Sequence, residues 1–323
     1  MSETFQTAAT KTVETNESDA LARLTPLLRE IGNLKRIRRA ESTDSLASQM
    51  FARAWNRINA GREVRAVAVE TVARAIVAAN LGAIDAEVLR RAGLSDEEIA
   101  VVMTRAFDAV AKPIDGNLRG ELRAQIHRQI EEKTDSESNE NNVKAARFVE
   151  NLKRQPRSGA TKVGAPKRIF DQPENHAEHC LAVAVMGALV APHFAADAET
   201  VFLVALAHHF HNAYLPDSGF AGEEALGEFL PQIFDAFRRE ALREVPENLH
   251  EKIRAALRMI ETADAPEAKA FHAADVFDRV LQMLHHAEAN EFTLKYAMEE
   301  AELVHVGAVQ DFHYDVLRRA RLI

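Results

Sequence analysis

The sequence predicts an all-α protein, and three observations carry that prediction. Every strongly patterned window repeats its apolar residues at helical spacing, none alternates with a period of two, and caps and glycine stops fall between the windows. At 323 residues and 47% hydrophobic composition the chain can bury a large core, and two domains are the expected arrangement.

Residues 1–17 are rich in Thr, Ser and Glu without apolar periodicity, which predicts a disordered leader. Residues 18–132 are then expected to form an N-terminal helical domain. Leu21, Leu24, Leu27, Leu28 and Ile31 mark its first helix, and Leu46, Met50, Phe51, Trp55 and Ile58 the second. A third spans Val64 to Asn80, and a shorter one runs from Asp85 towards Ala92 with Gly93 as its C-terminal stop. Ser95 and Glu98 have the spacing of a capping box for a helix ending near Lys112, and another helix follows from Asn117 to Lys133. The basic run Lys35 to Arg39 reads as a solvated helix face.

Residues 133–145, which include KTDSESNENN, offer nothing to a core and are expected to be a linker between the domains. In the second domain, 146–323, a short helix (Ala145 to Leu152) leads into LKRQPRSGATKVGAPKRIFDQP, whose prolines and glycines make it a loop. PENHAEHC opens one apolar helix and LVALAHHFHNAYLPDSG closes a second. Further helical patterns cover Glu223 to Glu244, Glu247 to Glu261, Pro266 to Ala289 (capped by Asp264), Thr293 to Leu303 and Val309 to Ala320.

Charge and composition exclude several classes. A net charge of -9 argues against general nucleic-acid or anionic-membrane binding. The single cysteine, Cys180, excludes an internal disulfide or a four-cysteine zinc site, so only histidines and carboxylates can build a metal centre. Cys180 itself reads as a packed thiol. The N-terminus has no signal pattern, and the expected setting is cytoplasmic.

Six of the thirteen histidines (His176, His179, His193, His208, His209 and His211) fall between Pro173 and Gly219. Imidazoles on an Ala/Val/Leu face need partners that offset lost hydration, and a metal ion is the leading one. His179, the adjacent pair His208-His209, and Asp275 within FHAADVFDRVLQM can converge from three packed helices on one divalent ion. Their order resembles the HD-domain phosphohydrolase superfamily, whose ligands are a His, an adjacent His-Asp and a distant Asp.

The likeness is closer to the 5′-deoxynucleotidase-like branch and covers roughly Phe148 to Leu284: LKRQPRSG resembles its arginine-bearing entry loop, PENHAEHC its first-histidine helix, LAHHFHNAYLPD its His-Asp helix and AADVFD its last-aspartate helix. The resemblance implies an HD-like helical bundle preceded by a separate N-terminal helical domain. It implies His179, His208, His209 and Asp275 as ligands of one divalent transition metal, Asp217 and Asn212 as groups positioning water or leaving group, and Arg157 or Arg168 as phosphate holders. The chain departs from that pattern in carrying His209 for the aspartate, Asn212 for the assisting glutamate and Ala160 for the entry-loop aromatic residue.

Two functions follow from this. One is a metal-dependent phosphohydrolase acting on a nucleotide or other small phosphate ester; the alternative is a catalytically degenerate HD-type sensing or scaffold domain, which the replaced carboxylates favour. A third, a di-iron oxygenase of the same superfamily, requires extra histidines such as His176, His211 and His272 to hold a second ion. The expected partner is a small phosphorylated molecule, with no nucleic acid and no membrane, and the further expectation is a protein partner of the N-terminal domain or a homo-oligomer. His193, His250, His285, His286, His305 and His313 are left as structural or solvated residues.

Overall fold

The computed structural model describes residues 20–131, 145–159, 173–290, 293–299 and 302–323. The expected leader (1–17), the linker up to residue 144, and the part of the entry loop with Ala160 and Arg168 lie outside the described residues. Among the described residues β structure is confined to two isolated bridges, Arg38 with Ser45 and Pro156 with Asn175, so the all-α expectation holds.

The N-terminal half comprises α1 (20–33), α2 (Leu46–Asn59), α3 (Val64–Leu81), α4 (Ala86–Arg91), α5 (Asp96–Val110) and α6 (Gly116–Glu131). Short polar side chains set several of the starts. Ser45 and Asp85 accept from the backbone N–H groups of Ser48 and Val88, and Ser95 with Glu98 forms the reciprocal box. Gly93 follows α4 at φ +94°, a left-handed position that costs glycine nothing.

The C-terminal half comprises α7 (Arg147–Arg154), α8 (His176–Val190), α9 (Ala198–Ala207), α10 (Gly219–Leu226), α11 (Leu230–Leu242), α12 (Glu247–Met259), α13 (Pro266–Asn290), α14 (Leu294–Glu299) and α15 (Gln310–Arg319). The axis is α8: all of its residues are buried, and it packs against α2, α3, α7, α9 and α13. A helix that is apolar all round has to be enclosed in this way. The run His176–Phe194 is long and apolar enough to cross a membrane, but 83% of its most apolar window is buried inside the protein.

Close approach around α8 depends on Gly187. A Cβ there would lie 2.6 Å from Val201 Cγ1 on α9 and 3.6 Å from Ala274 Cβ on α13, so a larger residue would push the three helices apart. The two halves also share one apolar core. Trp55 of α2 meets Phe148 of α7 and Phe210 at ring-centroid distances of 5.1 and 5.3 Å, and those two phenylalanines lie 5.0 Å apart.

Three local expectations are corrected. The helix expected from Glu223 to Glu244 is broken at Gly227, whose φ of +51° ends α10; a 3-10 turn (Gly227–Phe229) then leads into α11 with Pro231 in its first turn. The helix expected from Thr293 to Leu303 shortens to α14. The run Lys35 to Arg39 is not a solvated helix face: it follows α1 as turn and bridge, Lys35 is buried, Arg36 donates to Gln282 and Arg39 pairs with Asp85.

Candidate metal centre

The centre begins with the way α8 starts. Asn175 accepts from the Glu178 N–H at 2.9 Å while Glu178 accepts from the Asn175 N–H at 2.9 Å, a capping box present in the letters N-H-A-E yet missed in reading the sequence. The box sets His176 in the first turn of α8 and His179 one turn on, both fully buried. On the facing helix, α9 ends at Ala207, earlier than expected. His208 and His209 therefore stand in the turn before the 3-10 segment Phe210–Ala213, where their rings can diverge from the helix face.

The structure brings His179, His208, His209 and Asp275 together. Candidate ligand atoms of the three histidines lie within 4.8 Å of one another, and Asp275 Oδ1 lies 3.3 Å from His179 Nε2. The remaining nitrogens decide which atoms carry lone pairs. His179 Nδ1 is 2.7 Å from Asp278 Oδ2 and His208 Nδ1 is 2.7 Å from the Ala205 carbonyl, and both partners only accept. Each Nδ1 therefore carries a proton, and the two Nε2 atoms face each other at 3.2 Å.

With both Nε2 atoms free of protons, the two nitrogens and the carboxylate oxygen repel at such distances unless a cation lies among them. Ligands about 2.1 Å from one ion, at angles of roughly 90–110°, stand about 3.0–3.4 Å apart, so these spacings match edges of a coordination shell. The residues present fit a divalent ion. His209 is set in the same tautomer, its Nδ1 donating to Asn212 Oδ1 at 2.7 Å while the Asn212 amide donates to the Leu215 carbonyl at 3.3 Å.

Electrostatics keep the donor set ready. Burial, followed by the neighbouring His179, holds His208 well below the usual imidazole range, and burial followed by His208 and His176 does the same for His209. For Asp275, burial pushes the carboxyl pKa up, but the neighbouring His179 and the charge of Arg279 outweigh it and hold the pKa well below the usual carboxylate range. Neutral imidazoles and a carboxylate are the forms that bind metal.

The other predicted residues divide. Arg157 and Asp217 line a cavity of about 490 Å³ together with His208, His209 and Asp275. Arg157 Nη1 lies 3.4 Å from His209 Nε2, and its Nε lies 3.4 Å from Glu174 Oε2. Asp217 accepts the N–H groups of Ser158 and Gly219 at 3.0 and 2.9 Å. Asn212 is not in the cavity wall; it is buried behind His209 and acts on that ring. Arg168 lies outside the described residues.

The histidines expected for a second ion stand in three separate surroundings. His176 donates from Nδ1 to the Gln155 carbonyl at 3.0 Å with Nε2 3.5 Å from Asp217, His211 stacks on Phe234 at 4.0 Å, and His272 Nε2 bonds the Ile260 carbonyl at 2.9 Å. Sequence reading missed Lys35, Glu174 and Asp278. Lys35 Nζ lies 2.5 Å from Asp278 Oδ1 and also contacts Glu174, filling the one other grouping near His179 whose donors could take a cation among the described residues.

Fold and site together define an all-helical protein with a histidine- and aspartate-built candidate metal centre beside its central helix. The HD-domain family matches residues 149–311, just over half of the chain, and the chain belongs to that family. Comparison with curated proteins and with solved structures finds no match.

Proposed function

We propose that the protein is a metal-dependent phosphohydrolase of the 5′-deoxynucleotidase-like branch of HD proteins, acting on a nucleotide or another small phosphate ester. The observation that carries this reading is the pair of Nε2 atoms, on His179 and His208, facing each other at 3.2 Å beside Asp275. In it, His179, His208, His209 and Asp275 hold one divalent ion, which when bound supplies Lewis acidity toward a phosphoryl oxygen and toward water.

The chain's own residues divide the remaining work. Arg157 presents its guanidinium at the cavity wall, anchored by Glu174, where it holds a phosphate oxygen. Burial pushes the Asp217 pKa up, but His176 and the N–H groups of Ser158 and Gly219 outweigh it and hold the carboxyl well below its ordinary range. It therefore cannot serve as a general acid and acts as an acceptor that orients water or a leaving-group hydroxyl. Asn212 fixes the tautomer and angle of His209. The positive Arg157 beside His209 and the positive Lys35 beside Asp278 stand where a second cation would need negative ligands, which supports one ion rather than a di-iron pair.

The second reading is a degenerate HD domain that senses or scaffolds. It is favoured by one observation, that His209 and Asn212 pair with each other where carboxylates would supply negative charge and a base. Metal content of protein purified without chelator, followed by a phosphatase screen over nucleotides and sugar phosphates, tests the choice. One equivalent of metal with turnover is the expected result; metal-free protein without turnover overturns the hydrolase reading in favour of the second.

A further inference from the structure

The N-terminal half reaches the candidate metal centre through Lys35. Lys35, in the turn after α1, is only 4% exposed, and its Nζ lies 2.5 Å from Asp278 Oδ1 and in contact with Glu174 Oε1. Asp278 Oδ2 accepts the His179 Nδ1–H at 2.7 Å, and Glu174 Oε2 faces Arg157 Nε at 3.4 Å. One ammonium thus joins the carboxylate that fixes the ring of His179 to the carboxylate that anchors Arg157.

The same end of α8 is held a second time from the N-terminal half, because the Ser48 hydroxyl accepts from the side-chain amide of the cap residue Asn175 at 3.0 Å. In this cluster Lys35 stands between Asp278 and Glu174, and Arg157 faces Glu174. Removing one cation leaves two carboxylates facing each other in a low-dielectric interior, and the ring and guanidinium they orient lose their fixed positions.

We propose that Lys35 is a positioning residue of the metal centre: through Asp278 it aims His179 Nε2 at the ligand cluster, and through Glu174 it holds Arg157 at the cavity wall. The N-terminal helical half is then a working part of the site. This rests on the metal-centre reading above.

Cobalt(II) chloride titrated into the chelator-stripped 323-residue chain reports both affinity and, through the ligand-field absorption, coordination geometry. Lys35→Met is expected to weaken cobalt binding about tenfold or more and to shift the absorption, as the loss of an outer-shell partner does. Asp278→Asn is expected to do the same, and the double variant to be no worse than either single one, since both act along one path. Lys35→Arg, which keeps the charge, is expected to restore most of the affinity. A Lys35→Met protein with wild-type cobalt affinity and spectrum, changed only in thermal midpoint, overturns the proposal. If Lys35→Met does not fold, wild-type cobalt binding by Asp278→Asn overturns it equally. A wild-type chain that binds no cobalt overturns the metal-centre reading first and this inference with it.

Discussion

Lys35 and Asp278 meet at 2.5 Å although 243 residues of chain separate them. That ion pair, the Ser48–Asn175 bond and the Trp55–Phe148–Phe210 cluster all join the two halves of the chain. Proteolysis is expected to cut first within 133–145, where the sequence is polar and charged, and the two fragments are expected to stay together. Size-exclusion chromatography of the nicked protein checks this; separate elution of the fragments would show two independent domains.

Phe148 is fully buried at that junction. Phe148→Ala is expected to cost about 3–5 kcal/mol, with denaturant transitions of both halves moving together. Transitions that separate, one moved and the other unmoved, would contradict a shared core.

Removal of a ligand and removal of its support should differ in degree. His208→Ala is expected to abolish both metal binding and turnover, because it deletes one of the two facing Nε2 atoms. Asn212→Ala is expected to lower metal affinity by about tenfold as well as turnover, because Asn212 orients His209 and does not face the cavity. Metal analysis of the two variants distinguishes them, and equal metal retention in both would remove His208 from the ligand set.

Placing carboxylates at His209 and Asn212 tests the catalytic reading directly. His209→Asp with Asn212→Glu adds negative charge and a base at the two positions, and the double variant is expected to hydrolyse phosphate esters faster than wild type. If wild type holds metal and neither protein turns over any member of a broad nucleotide and sugar-phosphate panel, the scaffold reading replaces the hydrolase one.

Burial, followed by the nearby charge of Arg238, pushes the pKa of His211 down to about 3. The unfolded chain, with an imidazole near 6.5, takes up a proton that the folded protein refuses. The stability this group contributes is therefore complete above about pH 6.5 and falls on acidification toward its folded pKa, by about 1.4 kcal/mol per pH unit. Urea unfolding across that window should show a shallower acid decline for His211→Leu, and an unchanged slope would contradict the assignment.

Much of the fold was legible because its signals are local. Apolar spacing along Leu21 to Ile31 or Leu46 to Ile58, the Ser95 box and the Gly93 stop involve residues within about one or two turns of each other, where backbone geometry alone decides which side chains meet. The break at Gly227 was missed because glycine inside an apolar pattern is compatible with either a continued or an ended helix until its φ is known. The histidine cluster and Asp275 were visible as residue types in order, since that order resembles a family.

By itself the sequence determined that the chain is all helical, that six of its thirteen histidines gather between Pro173 and Gly219, and that the order of His179, His208-His209 and Asp275 resembles that of HD proteins. Only the tertiary structure decided which nitrogen of each ring meets an acceptor, that Asn212 Oδ1 meets His209 Nδ1, and that Lys35 is a buried partner of Asp278 and Glu174 rather than a solvated lysine. The reason is one of range: helix propensity and capping are fixed by neighbours along the chain. A proton's position on an imidazole, or the burial of a charge, is fixed by whatever packing brings within about 3 Å.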